Sequence, residues 1–315
     1  MSENDAATTP ARRGCGTMPV HHLLMAEDPA YAANRVQIEN QAFAYETGTE
    51  ATERVGLTRI PVVVHVVFHT AAQNIGEDQV TSQIDVLNQD FRALNPDIDK
   101  VPEVWKPLVA DSRIEFHLAT HDPQGQPTDG ITRTQTQATK FNIRTNAVKH
   151  SSSGGHDAWP DDRYLNLWVC PRIFDPNDPN EILGYAQFPG GPAETDGVVI
   201  GHQFFGTTGT ASAPFNGGRT TTHEVGHWLN LLHIWGDDDN GCNGSDLVMD
   251  TPNSGGPNFR APNFPRLSCS NGPDGDMFVN YMDYTDDKSM FMFTRGQVAR
   301  MEATLDSARS SFNGA

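Results

Sequence analysis

Apolar residues are unevenly spread along this 315-residue chain. The first dense block is IPVVVHVVF (60–68), β-branched and almost wholly apolar, the pattern of a buried strand. In DQVTSQIDVLNQDFRAL (78–94), Val80, Ile84, Leu87, Phe91 and Leu94 recur at helical spacing. IEFHLAT (114–120) and YLNLWVC (164–170) alternate as strands do. GYAQFPG (184–190) reads as a short edge strand before a Pro-Gly turn, and DGVVIG (196–201) as a further strand. Residues 236–275 are rich in Gly, Asn, Asp and Pro and predict little regular structure. TRGQVARMEATLDSAR (294–309) returns to helix, with Thr294 as N-cap. The pattern predicts a mixed α+β fold: a mixed sheet backed by two or three helices, then an irregular C-terminal third ending in a helix. Residues 1 to about 55 stand apart. They are polar at first, then weakly helical (MAEDPAYAANRVQIENQAFAYETG) without a strong apolar face, and read as an appended segment.

Composition narrows the function. Hydrophobic residues make up 37% of the chain, enough for a real core, and the net charge of −18 argues against nucleic acid or an anionic membrane as partner. No apolar run is long enough to span a bilayer, and MSENDAATTPARR has no apolar region of a standard signal peptide. Four cysteines, Cys15, Cys170, Cys242 and Cys269, are too few for a disulfide scaffold.

Candidate chemistry concentrates in HEVGHWLNLLH (223–233). His223 and His227 lie four apart, about 40° and about 6 Å on a helix, so both rings leave one face and can grip one zinc ion. Glu224 is turned too far to be a ligand but reaches a water at such a metal, the place of a general base. On a continuous helix His233 would lie about 15 Å beyond His223, out of reach. It can join only if the helix stops after Leu229 and the chain turns back. Asn230, which tolerates positive φ, is the expected pivot. His65 and His69, also four apart, fall on a predicted strand and are expected to be structural, and His21 and His22 to be solvent-exposed.

HEVGHWLNLLH resembles the extended zinc signature of the metzincin metallopeptidases, and its wording HEVGHWL resembles the pappalysin family, which includes ulilysin. NYMDY (280–284) is similar to that family's Met-turn, and CNGSDLVMDTP (242–252) with Cys269-Ser270 to its layout. Asn230 departs from the glycine of the signature. The resemblance covers roughly residues 58–310. It implies a metzincin fold, with a twisted mixed sheet, a backing helix and a zinc-site helix. A prosegment would span 1–57 and a catalytic domain 58–315, divided into an upper subdomain (58–229) and a lower one (230–315). Met282 would lie beneath the zinc, and Tyr284 would stabilise the oxyanion of the reaction. A Cys242–Cys269 disulfide would close the loop between them, contributing roughly 3–4 kcal/mol and placing the protein in an oxidising, extracellular compartment. Asp246, Asp250 and Thr251 in that loop are candidate Ca²⁺ ligands by resemblance, as oxygen donors on irregular backbone suit that ion.

These residues imply a secreted, monomeric zinc endopeptidase acting on protein or peptide substrates, with β-strand 184–190 as the edge that pairs with an extended substrate. The alternative is a zinc-stabilised binding module on a protease-like fold, which has no need of Glu224. Cys15 in RRGCGTMP resembles the cysteine switch of ulilysin-like proenzymes. Its sulfur would fill the fourth position on the zinc until the prosegment, acting as inhibitor, is cut away between about residues 50 and 60.

Overall fold

The computed structural model describes residues 10, 12–48, 56–238 and 241–313. Most of the stretch expected to carry the activation cleavage lies outside them.

The chain begins with two helices, α1 (Thr17–Glu27) and α2 (Pro29–Glu46). Asp28 caps α2 by accepting from the backbone N–H groups of Ala30 and Tyr31, and Pro29 occupies the first turn, where its missing N–H is harmless. The buried face of α2 is Tyr31, Arg35, Ile38, Ala42 and Tyr45, spaced four, three, four and three. An arginine and an alanine within that stripe explain why no strong apolar face was legible in the sequence. The stripe lies against the C-terminal helix α5 (Arg295–Asp306), where Glu39 bridges Arg35 and Arg300 at 2.5 Å each.

The central sheet is built from β1 (Thr58–Phe68), β2 (Ile114–Leu118), β3 (Ile131–Gln135), β5 (Leu165–Cys170), β8 (Gly184–Ala186) and β9 (Val198–Gly201). Between them come α3 (Glu77–Phe91), then β4 (Phe141–Asn142), β6 (Ile173–Asp175) and β7 (Asp178–Ile182), which form a second, three-stranded sheet. The strand order is β2-β1-β5-β9-β8, with β3 also on β1. All pairings are parallel except β8, which runs antiparallel to β9 and forms the edge. Val62, Val63, Val64, Val66 and Val67 are fully buried because both faces of β1 are covered, so the strand reads as a near-continuous apolar run interrupted only by His65. One face packs on Val80, Leu87 and Phe91 of α3 and on the helix of the histidine segment. The other packs Val67, Trp168, Tyr185 and Val199 against Ile143, Val148 and Val20 of α1.

α3 ends at Phe91, short of the expected residue 94. Ala93 has φ +51°, which turns the chain away and leaves Leu94 exposed. The predicted edge strand is likewise only Gly184–Ala186. The helix of the histidine segment, α4, spans Arg219–Trp228, and α5 spans Arg295–Asp306. Thr294 caps α5 in a reciprocal capping box with Gln297. Between 241 and 275 the described residues contain neither helix nor strand beyond an isolated bridge at Arg260. His21 departs from its expected exposure: it is half-buried, with Nδ1 at 2.7 Å from the Tyr31 hydroxyl and its ring edge-on to Phe188. His22 is exposed. His65 is fully buried, paired with Thr132 at 2.8 Å and Asn166 at 3.0 Å.

Candidate active site

Every residue of α4 is buried, so its polar side chains must find partners within the protein. Arg219 does so through Asp90, Asp97 and the carbonyls of Asp287 and Met290. The helix ends as a Schellman turn: the Asn230 N–H donates to His227 O and the Leu231 N–H to Gly226 O, both at 2.9 Å, with Asn230 at φ +76°. The Asn230 carbonyl accepts from Arg300 Nε at 2.8 Å, while both polar atoms of its amide are buried without a partner. This turn carries His233 back beneath α4.

Nε2 of His223, His227 and His233 lie 3.1–3.3 Å from one another. A tetrahedral ion with nitrogen ligands at about 2.0–2.1 Å sets them roughly 3.3–3.4 Å apart. Each Nδ1 faces an acceptor at 2.7 Å: the Tyr281 carbonyl for His223, the Leu231 carbonyl for His227 and the Asp237 carboxylate for His233. With each proton held on Nδ1, three bare Nε2 lone pairs face one another, an arrangement that calls for a cation. Burial, reinforced by the neighbouring imidazoles, holds His223 and His227 well below the usual histidine range, so both stay neutral. The donor set therefore fits a metal ion. Cys15 Sγ completes a group of four ligand atoms within 4.8 Å of one another, and no other such group occurs among the described residues.

Met282 is fully buried, with Sδ against Gly226, where a Cβ would approach it to 2.5 Å. The glycine in HEVGH is thus required by the methionine below it. Tyr284 stands beside the cluster, 5.0 Å from the His233 ring and 5.7 Å from that of His223, and touches the Cys15 backbone. Burial raises its hydroxyl well above the usual tyrosine range, so it is a donor. Glu224 is 1% exposed, and burial pushes its carboxyl up to about 7. Its Oε2 accepts from the Thr17 hydroxyl at 2.9 Å and lies 3.3 Å from Cys15 Sγ.

Residues 12–17 fill the cleft in front of this cluster, paired in parallel with β8. The Gly16 N–H donates to Gly184 O and the Leu183 N–H to Gly14 O, both at 2.9 Å. A Cβ on Gly14 would meet Glu181 O at 2.7 Å, and one on Gly16 would meet Tyr185 Cβ at 3.1 Å, so both glycines beside Cys15 permit this close approach. Arg13 is buried in a polar pocket. Its guanidinium reaches Asp287 at 2.5 Å, Thr220 at 2.9 Å and the Thr285 carbonyl at 3.3 Å, and stacks 5.1 Å from the Phe215 ring centre. Asp287 is itself fixed by the Gly217 N–H at 2.7 Å, just ahead of α4. Sequence reading missed Asp237, Asp287, Arg13 and Thr17. Arg13, Thr17 and Asp287 are ordinary polar residues whose partners are distant in sequence, so none carries a local signal, whereas Asp237 lies only four residues after its partner His233.

Cys242 and Cys269 are joined by a disulfide. The three oxygen-bearing residues in that loop divide. Asp246 is buried beside Thr251, whose hydroxyl donates to it at 2.7 Å and lies 3.0 Å from the Val248 carbonyl. Asp250 instead accepts from the Thr294 hydroxyl and the Gly296 N–H, fixing the start of α5.

A profile of the family described as pregnancy-associated plasma protein-A matches residues 149–306. An extracellular metalloprotease of Pyricularia oryzae is 32% identical over 287 residues, 88% of this chain and 85% of that protein. Among solved structures, a promirolysin mutant of Tannerella forsythia is 44% identical with a TM-score of 0.85, over 95% of this chain and 96% of that one. Mature mirolysin of the same organism, in complex with a cleaved peptide, is 48% identical with a TM-score of 0.79, over 83% and 97%.

Proposed function

Because this chain belongs to the pregnancy-associated plasma protein-A family of metallopeptidases, we propose that His223, His227 and His233 hold a zinc ion and that Glu224 is the general base of peptide-bond hydrolysis. The observation that carries this reading is the convergence of three Nε2 atoms at 3.1–3.3 Å beside the Glu224 carboxylate. Zinc bound there supplies Lewis-acid activation of the attacking water. Glu224, with its affinity for protons raised by burial, takes the water's proton and passes it to the leaving amine. The Tyr284 hydroxyl donates to the oxygen that gains charge at the attacked carbonyl. Met282 packs under the ligands and takes no part in proton transfer.

The chain is a metalloendopeptidase made as a zymogen. We assign residues 1–57 to the prosegment and 58–315 to the catalytic domain, with 58–229 above the cleft and 230–315 below it. In support, the mature relative aligns with 83% of this chain and the proform with 95%. Cys15 would be the fourth ligand of the latent state. The free edge of β8 would pair with an extended peptide once residues 12–17 leave. The pocket that buries Arg13 against Asp287 then accepts a basic side chain of the substrate, since a fixed carboxylate without a cation would be left buried and unpaired. Relatives named extracellular metalloproteases, together with the Cys242–Cys269 disulfide, support secretion. A Ca²⁺ site at Asp246, Thr251 and the Val248 carbonyl is supported by burial, which pushes Asp246 up to about 7 and marks it as a carboxylate short of a cation. Asp250, committed to α5, is the weaker ligand of the expected three.

The test is Glu224→Ala. Its zinc content by mass spectrometry should match the parent, while casein hydrolysis falls by roughly 10²–10⁴-fold. Hydrolysis near the parent rate at full zinc loading would remove Glu224 from the mechanism.

A further inference from the structure

We propose that latency rests on a second lock besides the Cys15 sulfur: the Thr17 hydroxyl occupies the general base and holds the cleft shut on its own. The inference rests on the reading of Glu224 as that base.

Thr17 is fully buried. Its hydroxyl donates to Glu224 Oε2 at 2.9 Å and accepts from the Ala186 N–H at 2.8 Å. A hydroxyl has a single proton, so these two bonds commit it to the base on one side and to the edge strand β8 on the other. Both groups are ones a peptide substrate and its attacking water must use. Cys15 Sγ also faces Glu224 Oε2, at 3.3 Å. A sulfur that ligates a metal does so as a thiolate and has no proton to give the carboxylate. Thr17 is then the group of the plug that donates to Glu224.

Thr17 also has an anchor of its own, beyond the bond from its N–H to Cys15 Sγ at 3.4 Å. Thr17 is the first residue of α1, with Gly16 as its N-cap, and α1 is pinned by Val20 in the cluster of Ile143, Trp168 and Tyr185. A transient loss of the sulfur from the metal would leave Thr17 in place, with the base still occupied.

The experiment uses the full-length, zinc-loaded chain and reads two rates: alkylation of Cys15 by a small reagent, followed on the intact chain by mass spectrometry, and self-shortening. Thr17→Val removes the hydroxyl and keeps the shape. A hydrogen bond to a charged group corresponds to about 10–100-fold, so both rates should rise by that factor. X-ray absorption should still show a sulfur ligand in the resting protein. Thr17→Ser should stay within about threefold of the parent. Glu224→Ala alone should raise alkylation by a similar factor, which keeps the test valid should Thr17→Val fold poorly. On that background Thr17→Val should add less than about threefold. Parent-like alkylation in Thr17→Val overturns the lock. So does a Thr17→Val effect that persists in full without Glu224, since Thr17 would then act through β8 alone. Alkylation needs no peptidase activity: if it responds as expected while no variant cleaves peptide, the Thr17–Glu224 contact that holds the cleft shut stands and the reading of Glu224 as the base of a peptidase fails.

Discussion

The two walls of the cleft are built in opposite ways. The catalytic wall, α4 and the turns after it, is rigid at its three imidazoles, which are held from behind. The three imidazoles lean on the Tyr281 and Leu231 carbonyls and on Asp237, Gly226 is pressed on Met282, and the Asn230 carbonyl is held by Arg300. The covering wall, residues 12–17, is held through backbone bonds to one edge strand and three side chains, and each of those side chains meets a working part of the site. Arg13 enters the Asp287 pocket, Cys15 joins the imidazoles and Thr17 takes Glu224. The difference teaches what such a cover requires: it is a cast of the site that itself bonds the Glu224 carboxylate, while the imidazoles behind it are held by contacts the cover does not make.

The sharpest way to break this contrast is Asp287→Ala. It should lower kcat/KM on peptides with a basic residue at the cut by about 10²–10⁴-fold, corresponding to roughly 3–5 kcal/mol for a broken buried pair, and leave cleavage of apolar peptides within a few-fold. A uniform loss across a peptide library, mapped by mass spectrometry, would show that the Arg13 pocket does not select substrate.

On the rigid wall, Asp237→Ala should weaken zinc binding by about 10–100-fold, measured by competition with a chelator, because the third imidazole loses the partner that fixes its tautomer. Unchanged affinity would mean that His233 is oriented by the Asn230 turn alone.

Asn230→Gly should stabilise the protein modestly, by about 1 kcal/mol in urea unfolding, since it removes a buried amide without partners from a position at φ +76°. Asn230→Val should lose zinc, as a β-branched residue resists that backbone. Equal zinc content in the valine variant would show that residue 230 is not the pivot.

The smallest effect concerns the loop beyond the cleft. Burial raises the Asp246 carboxyl from its ordinary 3.8 to about 7, so the folded protein binds a proton there more tightly than the unfolded chain. Without Ca²⁺, stability should therefore be greater at pH 4 than at pH 8 from this group, falling as pH rises through the interval 3.8–7. Ca²⁺ should raise Tm at pH 8 and not at pH 4, and Asp246→Asn should abolish the difference. Melts insensitive to Ca²⁺ at both pH values would remove that ion from the loop.

Local pattern carried much of this molecule. β1 was legible because a strand buried on both faces has a near-continuous run of apolar residues, and α5 because Thr294 and Gln297 are a cap written in adjacent sequence. The cluster of three histidines was legible because its members lie within eleven residues and a helix with one turn fixes their geometry. α2 was not, since its buried stripe contains Arg35 and is made apolar only by its partners Glu39 and Arg300.

By itself, then, the sequence determined five of the six central strands, all but β3, together with the histidine helix and the turn after it, because those depend on backbone periodicity and on side chains a few residues apart. Tertiary structure alone decided that Arg13 lies against Asp287, 274 residues away, that Thr17 meets Glu224, and that Asp250 turns to α5 instead of to Asp246. The physical reason is that a polar side chain takes its role from whichever partner desolvation forces on it, and that partner is chosen by how the layers close, not by neighbours along the chain.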